Sequence, residues 1–199
     1  MDRVVMPVRA EGGVPDRVRL PLDFDPAPLA ADIAVLERRD WTDHFVKQNY
    51  EGDWSALGLR ASAKATHPIQ MIYSAPGETE FVDTPWLARM PAMAAVMDSF
   101  QCPVRATRLM RLAAGSVIKE HEDLALDVAD GFARIHVPIL TNPDVDFRLN
   151  GERVTMAPGE AWYLRLSDPH SVANRGDTAR VHLVLDMVVN DWLMRQLGR

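Results

Sequence analysis

The alternation of apolar and polar positions divides the chain near residue 104. Before that point the signals are mixed. Residues 1–24 are rich in Gly, Pro and charge and predict a loosely ordered lead-in with room for one edge strand. Asp25-Pro26 then offers an N-cap followed by a proline at the first helical position. Leu29, Ile33 and Leu36 come next at helical spacing, so an amphipathic helix is expected to run to about Arg38-Arg39. Glu51-Gly52-Asp53-Trp54 reads as a turn feeding a strand over 54–60. Residues 68–73 read as a further strand, closed by Ala75-Pro76-Gly77. Thr84-Pro85 repeats the cap-and-proline signal, and Pro91 divides residues 86–100 into two short helices, 86–90 and 92–100. Their apolar stripes need a surface to cover them. Trp41, Trp54 and Trp86 read as the anchors that dock this block, and Met90, Met93 and Met97 as core.

From Val104 onward short strands alternate with turn signals. The runs are 104–112, 117–121, 132–140, 145–149, 152–156, 160–165, 170–174 and 179–188. Breaks fall at Ala114-Gly115, Asp130-Gly131, Asn142-Pro143, Asn150-Gly151, Pro158-Gly159 and Arg175-Gly176-Asp177, with Asn150-Gly151 the strongest hairpin cue. Eight short antiparallel strands in two sheets make a jelly roll, the cupin-like double-stranded β-helix. The fold class is therefore mainly β, with N-terminal helices packed on one sheet and a short C-terminal helix over 191–197. The expected organisation is one domain over 1–199: lead-in 1–24, mixed block 25–103, β core 104–189 and closing helix 190–199.

Two strands carry an unusual face. In 132–140, Arg134 and His136 oppose Ile135, Val137 and Ile139; in 179–188, Arg180, His182 and Asp186 oppose Val181, Leu183, Leu185 and Met187. A wholly apolar face is already packed on something, so the ionisable face must line a polar interior where it finds partners.

Composition narrows the field only by exclusion. The net charge of −6 excludes a phosphate-backbone partner or anionic membrane surface as the natural reading. No apolar run reaches the length of a signal peptide or a membrane span. Cys102 stands alone, so no disulfide can form within the chain. The default expectation is a cytoplasmic protein that binds neither nucleic acid nor membrane, with an edge strand that leaves room for a homodimer.

The chemistry gathers in the β half. His121 and Asp123 lie on one side of an extended strand, and His170 follows Pro169 far downstream. Two imidazoles and a carboxylate are the set that holds non-haem Fe(II) on one face and leaves positions open for dioxygen and substrate. Such a site also needs a fixed cation for the far carboxylate of a 2-oxoacid, and a guanidinium fits that fork best. Arg180 is the candidate, on a strand expected to run beside the one carrying His170. Arg134, His136 and His182 are candidates for holding the cosubstrate or orienting the ligands, although His136 and His182 also read as satisfied core histidines. Arg111, if its face points inward, is a candidate for a substrate carboxylate. The loop 124–130, with Asp127 and Asp130, is a candidate cover for the site or partner for a substrate amine. His44 and His67 read as structural or surface residues, and Arg180 alone also reads as half of a salt bridge to Asp186 or Asp168.

Several separated segments together resemble the aspartyl/asparaginyl β-hydroxylase-like family of Fe(II)/2-oxoglutarate dioxygenases, in its small bacterial branch. They are the run from Arg108 to Ser116, His121-Glu122-Asp123, Arg134-Ile135-His136, Gly159-Glu160-Ala161-Trp162-Tyr163-Leu164, Pro169-His170 and the run from Ala179 to Asp186. The resemblance implies iron on His121, Asp123 and His170 and 2-oxoglutarate on Arg180, with Arg134 and His136 matching positions that help hold the cosubstrate in the animal enzyme. That enzyme lacks the carboxylate ligand that this chain has in Asp123. The implied reaction is hydroxylation of an unactivated C–H bond in a small amino-acid-like or peptidyl substrate, consuming dioxygen and releasing succinate and CO2. Two rivals stay open on the residues alone: a metallo-cupin enzyme that uses no 2-oxoacid, and a non-catalytic jelly-roll binding module.

Overall fold

Strands carry most of the structure, as the period-two pattern requires. The computed structural model describes residues 13–73, 77–124 and 126–198, so the first half of the lead-in and most of the Ala75-Pro76-Gly77 turn lie outside the described residues. In chain order the elements are β1 (Arg17–Asp23), α1 (Pro26–Ala34), β2 (Thr42–Asp43), β3 (Tyr50–Glu51), β4 (Trp54–Ser62), α2 (Pro68–Met71), β5 (Phe81–Asp83) and α3 (Pro91–Asp98). They continue with β6 (Val104–Leu112), β7 (Val117–His121), β8 (Phe132–Leu140), β9 (Val145–Leu149), β10 (Glu152–Arg153), β11 (Glu160–Leu164), β12 (His170–Asn174), β13 (Arg180–Val188) and α4 (Asp191–Gln196). No helix among the described residues is long and apolar enough to cross a membrane.

The strands make two antiparallel sheets. The larger runs β1-β11-β8-β13-β6-β4-β2, with β5 also on β4; the smaller runs β10-β9-β12-β7-β3. Their inner faces share a core in which Trp54 and Leu112 of the larger sheet meet Ile118, Phe147, Leu149 and Val172 of the smaller. The outer face of the larger sheet, with Ile135, Val137, Leu183 and Leu185, is covered by Leu29 and Ile33 of α1, Met93 and Val96 of α3, and Leu193 of α4. Two facing sheets with helices on one outer surface are the expected jelly roll.

All eight strands predicted after residue 104 form. The run 152–156 shortens to Glu152–Arg153, while Val154 and Met156 remain buried. Asn150 and Gly151 both take positive φ (52° and 76°) in the two-residue turn that pairs Leu149 with Glu152, the twist a tight hairpin demands.

The N-terminal half differs more from its reading. The first helix stops at Ala34, and a separate 3-10 turn begins where Glu37 and Asp40 cap each other. Residues 68–73 are not a strand. Pro68–Met71 form one helical turn, because the His67 side chain accepts the Ile69 N–H at 3.2 Å and Gln70 accepts the His67 N–H at 3.1 Å. This reciprocal cap, with proline behind it, outweighs the β-branched composition. The helix expected at 86–90 is a single 3-10 turn, and α3 starts at Pro91, where Asp32 of α1 accepts the Ala92 and Met93 N–H groups at 2.9 and 3.0 Å.

Two corrections concern the sheet itself. β4 lies between β6 and β2 within the larger sheet, so the N-terminal block extends the sheet as well as packing on it. β13, with Arg180, pairs with β6 and β8, whereas β12, with His170, pairs with β7 and β9. The two strands therefore lie in opposite sheets and are not neighbours. The lead-in's edge strand is β1, paired with β11.

Gly159 sits where β1 closes on the roll. Its φ is 85°, an added Cβ would lie 2.0 Å from the Phe24 carbonyl oxygen, and Phe24 donates to the Gly159 carbonyl at 2.9 Å. Gly159→Ala is expected to destabilise the protein by about 3 kcal/mol, combining left-handed strain with overpacking against backbone. Urea unfolding measures this; an unchanged midpoint would contradict the packing.

Candidate metal centre and its cavity

β7 and β12 run side by side in the smaller sheet, and their register places His121 opposite His170. The two rings lie 4.3 Å apart, centroid to centroid. Just past β7, Asp123 turns back so that its Oδ1 lies 3.7 Å from His121 Nε2. One donor atom from each of His121, Asp123 and His170 falls within 4.8 Å of the others. His121 Nδ1 meets the Lys119 carbonyl oxygen at 2.8 Å, and His170 Nδ1 meets that of Asp168 at 3.0 Å. A carbonyl only accepts, so each Nδ1 carries the proton and each Nε2 is left with a free lone pair, as a metal ligand needs. Burial, partly offset by Asp123, lowers the His170 pKa to about 4 and keeps the ring neutral.

These residues open into a cavity of about 410 Å³ between the sheets, which Arg108, Arg134, His136 and Arg180 line from the larger sheet. Asp186 lies beneath, 2% exposed. Arg134 grips it with a fork, Nε to Oδ1 at 2.6 Å and Nη2 to Oδ2 at 3.1 Å, and extends Nη1 to Asp123 Oδ2. Arg108 donates to the same Asp186 at 3.1 Å. Burial would push the Asp186 carboxyl up, but the two guanidiniums reverse this and hold it well below the usual carboxylate range.

Arg180 is 2% exposed and has no carboxylate partner among the described residues. It donates to His182 Nδ1 at 2.8 Å, its Nε is unpartnered, and burial lowers its pKa to about 9. His136 Nε2 beside it is also buried without a partner. The salt bridges considered for Arg180 go elsewhere: Asp186 to Arg134 and Arg108, and Asp168 to Arg165 at 2.7 Å.

The remaining candidates are placed unequally. Every nitrogen of Arg134 already gives a hydrogen bond to a carboxylate, so it holds Asp123 in place, while one N–H on each Nη is left over at the cavity wall. His182 does not line the cavity and instead receives Arg180. Arg111 shares a face with Leu109, which belongs to the core under the helices, and pairs with Asp53 at 2.9 Å. Its inward orientation is thus corrected. Asp127 caps a turn through the Ala129 N–H at 2.8 Å, and the loop turns Leu124 and Leu126 to the cavity in its place. His44, read as structural or surface, and Trp54, read as a docking anchor, both line the cavity. Their rings stack at 3.5 Å and 12°. Neither carried a local signal, since β2, β3 and the turn between them bring His44 to the opening.

Burial, reinforced by Arg108, lowers the His44 pKa to about 3. The unfolded chain protonates near 6.5, so between about pH 6.5 and 4 it binds more protons than the metal-free native state, and stability falls as pH is lowered. His44 and His170 each contribute a slope approaching ~1.4 kcal/mol per pH unit in that window. Urea midpoints of metal-free protein between pH 7 and 4.5 test this; His44→Gln should flatten the slope, and an unchanged slope would show that His44 plays no part in it.

Residues 30–189 match the family described as Aspartyl/Asparaginyl beta-hydroxylase. L-proline cis-4-hydroxylase of Rhizobium meliloti (strain 1021) is 30% identical over 166 residues, which span 82% of this chain and 57% of that protein. The chain thus matches little more than half the length of that relative. In fold it resembles a Pseudomonas putida prolyl-4-hydroxylase (TM-score 0.56, 12% identity, 88% of this chain and 93% of that one). It also resembles an oxidoreductase of the 2OG-Fe(II) oxygenase family from Burkholderia pseudomallei (TM-score 0.50, 16% identity, 87% and 85%). With most of its length matched, the chain belongs to the aspartyl/asparaginyl β-hydroxylase family.

Proposed function

We propose that the protein is an Fe(II)- and 2-oxoglutarate-dependent dioxygenase that hydroxylates an unactivated C–H bond of a small amino-acid-like or peptidyl substrate, with release of succinate and CO2. The observation that carries this reading is the convergence of His121, Asp123 and His170 on a cavity whose opposite sheet holds the buried Arg180, without an acid partner among the described residues. The donor set fits iron: two neutral imidazoles with free Nε2 lone pairs and one carboxylate leave positions open. The orphaned Arg180 Nε fits a carboxylate that the described residues do not supply. Iron and the 2-oxoacid together supply the oxidising power for C–H cleavage, which no side chain of this protein provides.

The chain's own residues do the positioning. The Lys119 and Asp168 carbonyls fix the ring orientation of His121 and His170. Arg134 keeps one Asp123 oxygen occupied, so the other is presented toward the imidazoles. Arg180, braced by His182, offers its guanidinium to the far carboxylate of the cosubstrate. Trp54, Phe147 and Leu166 wall the cavity and keep bulk water away from it.

Succinate formation by purified protein, with Fe(II), 2-oxoglutarate and a panel of amino acids and their derivatives, tests this function. His170→Ala is expected to abolish both Fe(II) binding and turnover. Arg180→Ala should retain Fe(II) and weaken 2-oxoglutarate binding by roughly 30-fold or more, as loss of a buried charge partner does. Turnover that is independent of 2-oxoglutarate, or unaffected by Arg180→Ala, would sink the proposal.

A further inference from the structure

The cavity's three buried guanidiniums are not equally neutralised. Arg134 bonds both Asp186 and Asp123, and although burial opposes it, these carboxylates raise its proton affinity. Arg108, 4% exposed, reaches only Asp186, through one nitrogen, and burial leaves its proton affinity lowered. Arg180 has no carboxylate partner among the described residues. If Arg180 seats the cosubstrate, Arg108 remains as a second buried cation on the cavity wall that still lacks a full counter-charge, while half-buried Arg105, which also lines it, is engaged by the Glu78 carbonyl oxygen at 2.7 Å.

The mouth of the same cavity is apolar. Phe45, Tyr73 and Leu124, which are 40%, 45% and 90% exposed, all border it. Phe45 meets Tyr73 edge-on at 5.6 Å and His44 face-on at 4.7 Å. Exposed apolar side chains gathered at one opening mark a binding surface. Beneath them Trp54 is buried, its Nε1–H unpartnered among the described residues. The lining acids are Glu122, exposed, and Asp123, already held by Arg134, so no buried acid stands free to receive an ammonium among the described residues.

We propose that the substrate is an apolar monocarboxylate, its carboxylate seated on Arg108 and its hydrocarbon body running along Trp54 and out between Phe45, Tyr73 and Leu124. This rests on the oxygenase reading, in which Arg180 serves the cosubstrate. An amino group is not required, and a peptide lacking a free terminal carboxylate is not the preferred ligand.

Anaerobic calorimetry on protein loaded with Fe(II) and 2-oxoglutarate tests the proposal without turnover. The probes are butanoate, hexanoate and octanoate, their primary amides, 2-aminooctanoate, and an aspartyl peptide blocked at both ends. Affinity should rise about fourfold per methylene, and each amide should bind roughly tenfold or more weakly than its acid. Octanoate should bind at least as well as 2-aminooctanoate. Arg108→Gln should erase the acid–amide difference while 2-oxoglutarate still binds. Phe45→Ala and Leu124→Ala, at exposed positions that leave Asp186 undisturbed, should flatten the chain-length trend even if Arg108→Gln does not fold. A flat chain-length series, equal binding of amides, or a preference for 2-aminooctanoate or the blocked peptide would overturn the proposal. Failure of 2-oxoglutarate itself to bind would instead sink the oxygenase reading on which it stands.

Discussion

A buried carboxylate holds the interior together. Asp186 lies on β13 directly opposite Arg134 on β8, and Arg108 reaches it from β6 on the other side. Three adjacent strands are thus tied by one acid inside the roll. Each ion taken from water costs several kcal/mol, which is regained only if the geometry is complete. That condition explains why the face is so ordered: Arg134 spends every nitrogen on a carboxylate, and its last one crosses to Asp123.

That crossing joins the two halves of the site. His121 and His170 belong to the smaller sheet, while Arg134 and Arg180 belong to the larger. Neither sheet alone carries all of these groups. The separation of packed sheets, roughly 10 Å, sets the room left for ligands between the imidazoles and Arg180. The shared inner core determines that separation, where Trp54 and Leu112 meet Ile118 and Phe147. Packing and chemistry are therefore one constraint in this fold.

The same logic grades the cavity from charged floor to aromatic mouth. Near Asp186 burial, reinforced by Arg180 and Arg134, keeps His136 neutral. Toward the opening the walls become Trp54, His44 and Phe45, stacked on one another and carrying no net charge. A ligand that matches both ends must itself be charged at one end and apolar at the other.

By itself the sequence determined which residues share a face and where strands turn. Alternation marked β6 to β13 to within a residue or so, apart from the shortened β10, Asn150-Gly151 marked a hairpin, and the His121-Glu122-Asp123 spacing put an imidazole and a carboxylate on one side of a strand. These are local properties, set by backbone geometry over a few residues. Tertiary structure decided which way each face points: on β6 it is Arg108, not Arg111, that meets the cavity. It also decided that β4 enters the sheet, that β12 and β13 oppose each other across the cavity, and that His44 reaches the mouth. Strands of two or three residues such as β2, β3 and β5 are too short to show alternation, and a helical turn such as α2 is set by its caps. Which partner satisfies a buried charge depends on contacts between residues far apart in the chain, and no local pattern encodes that.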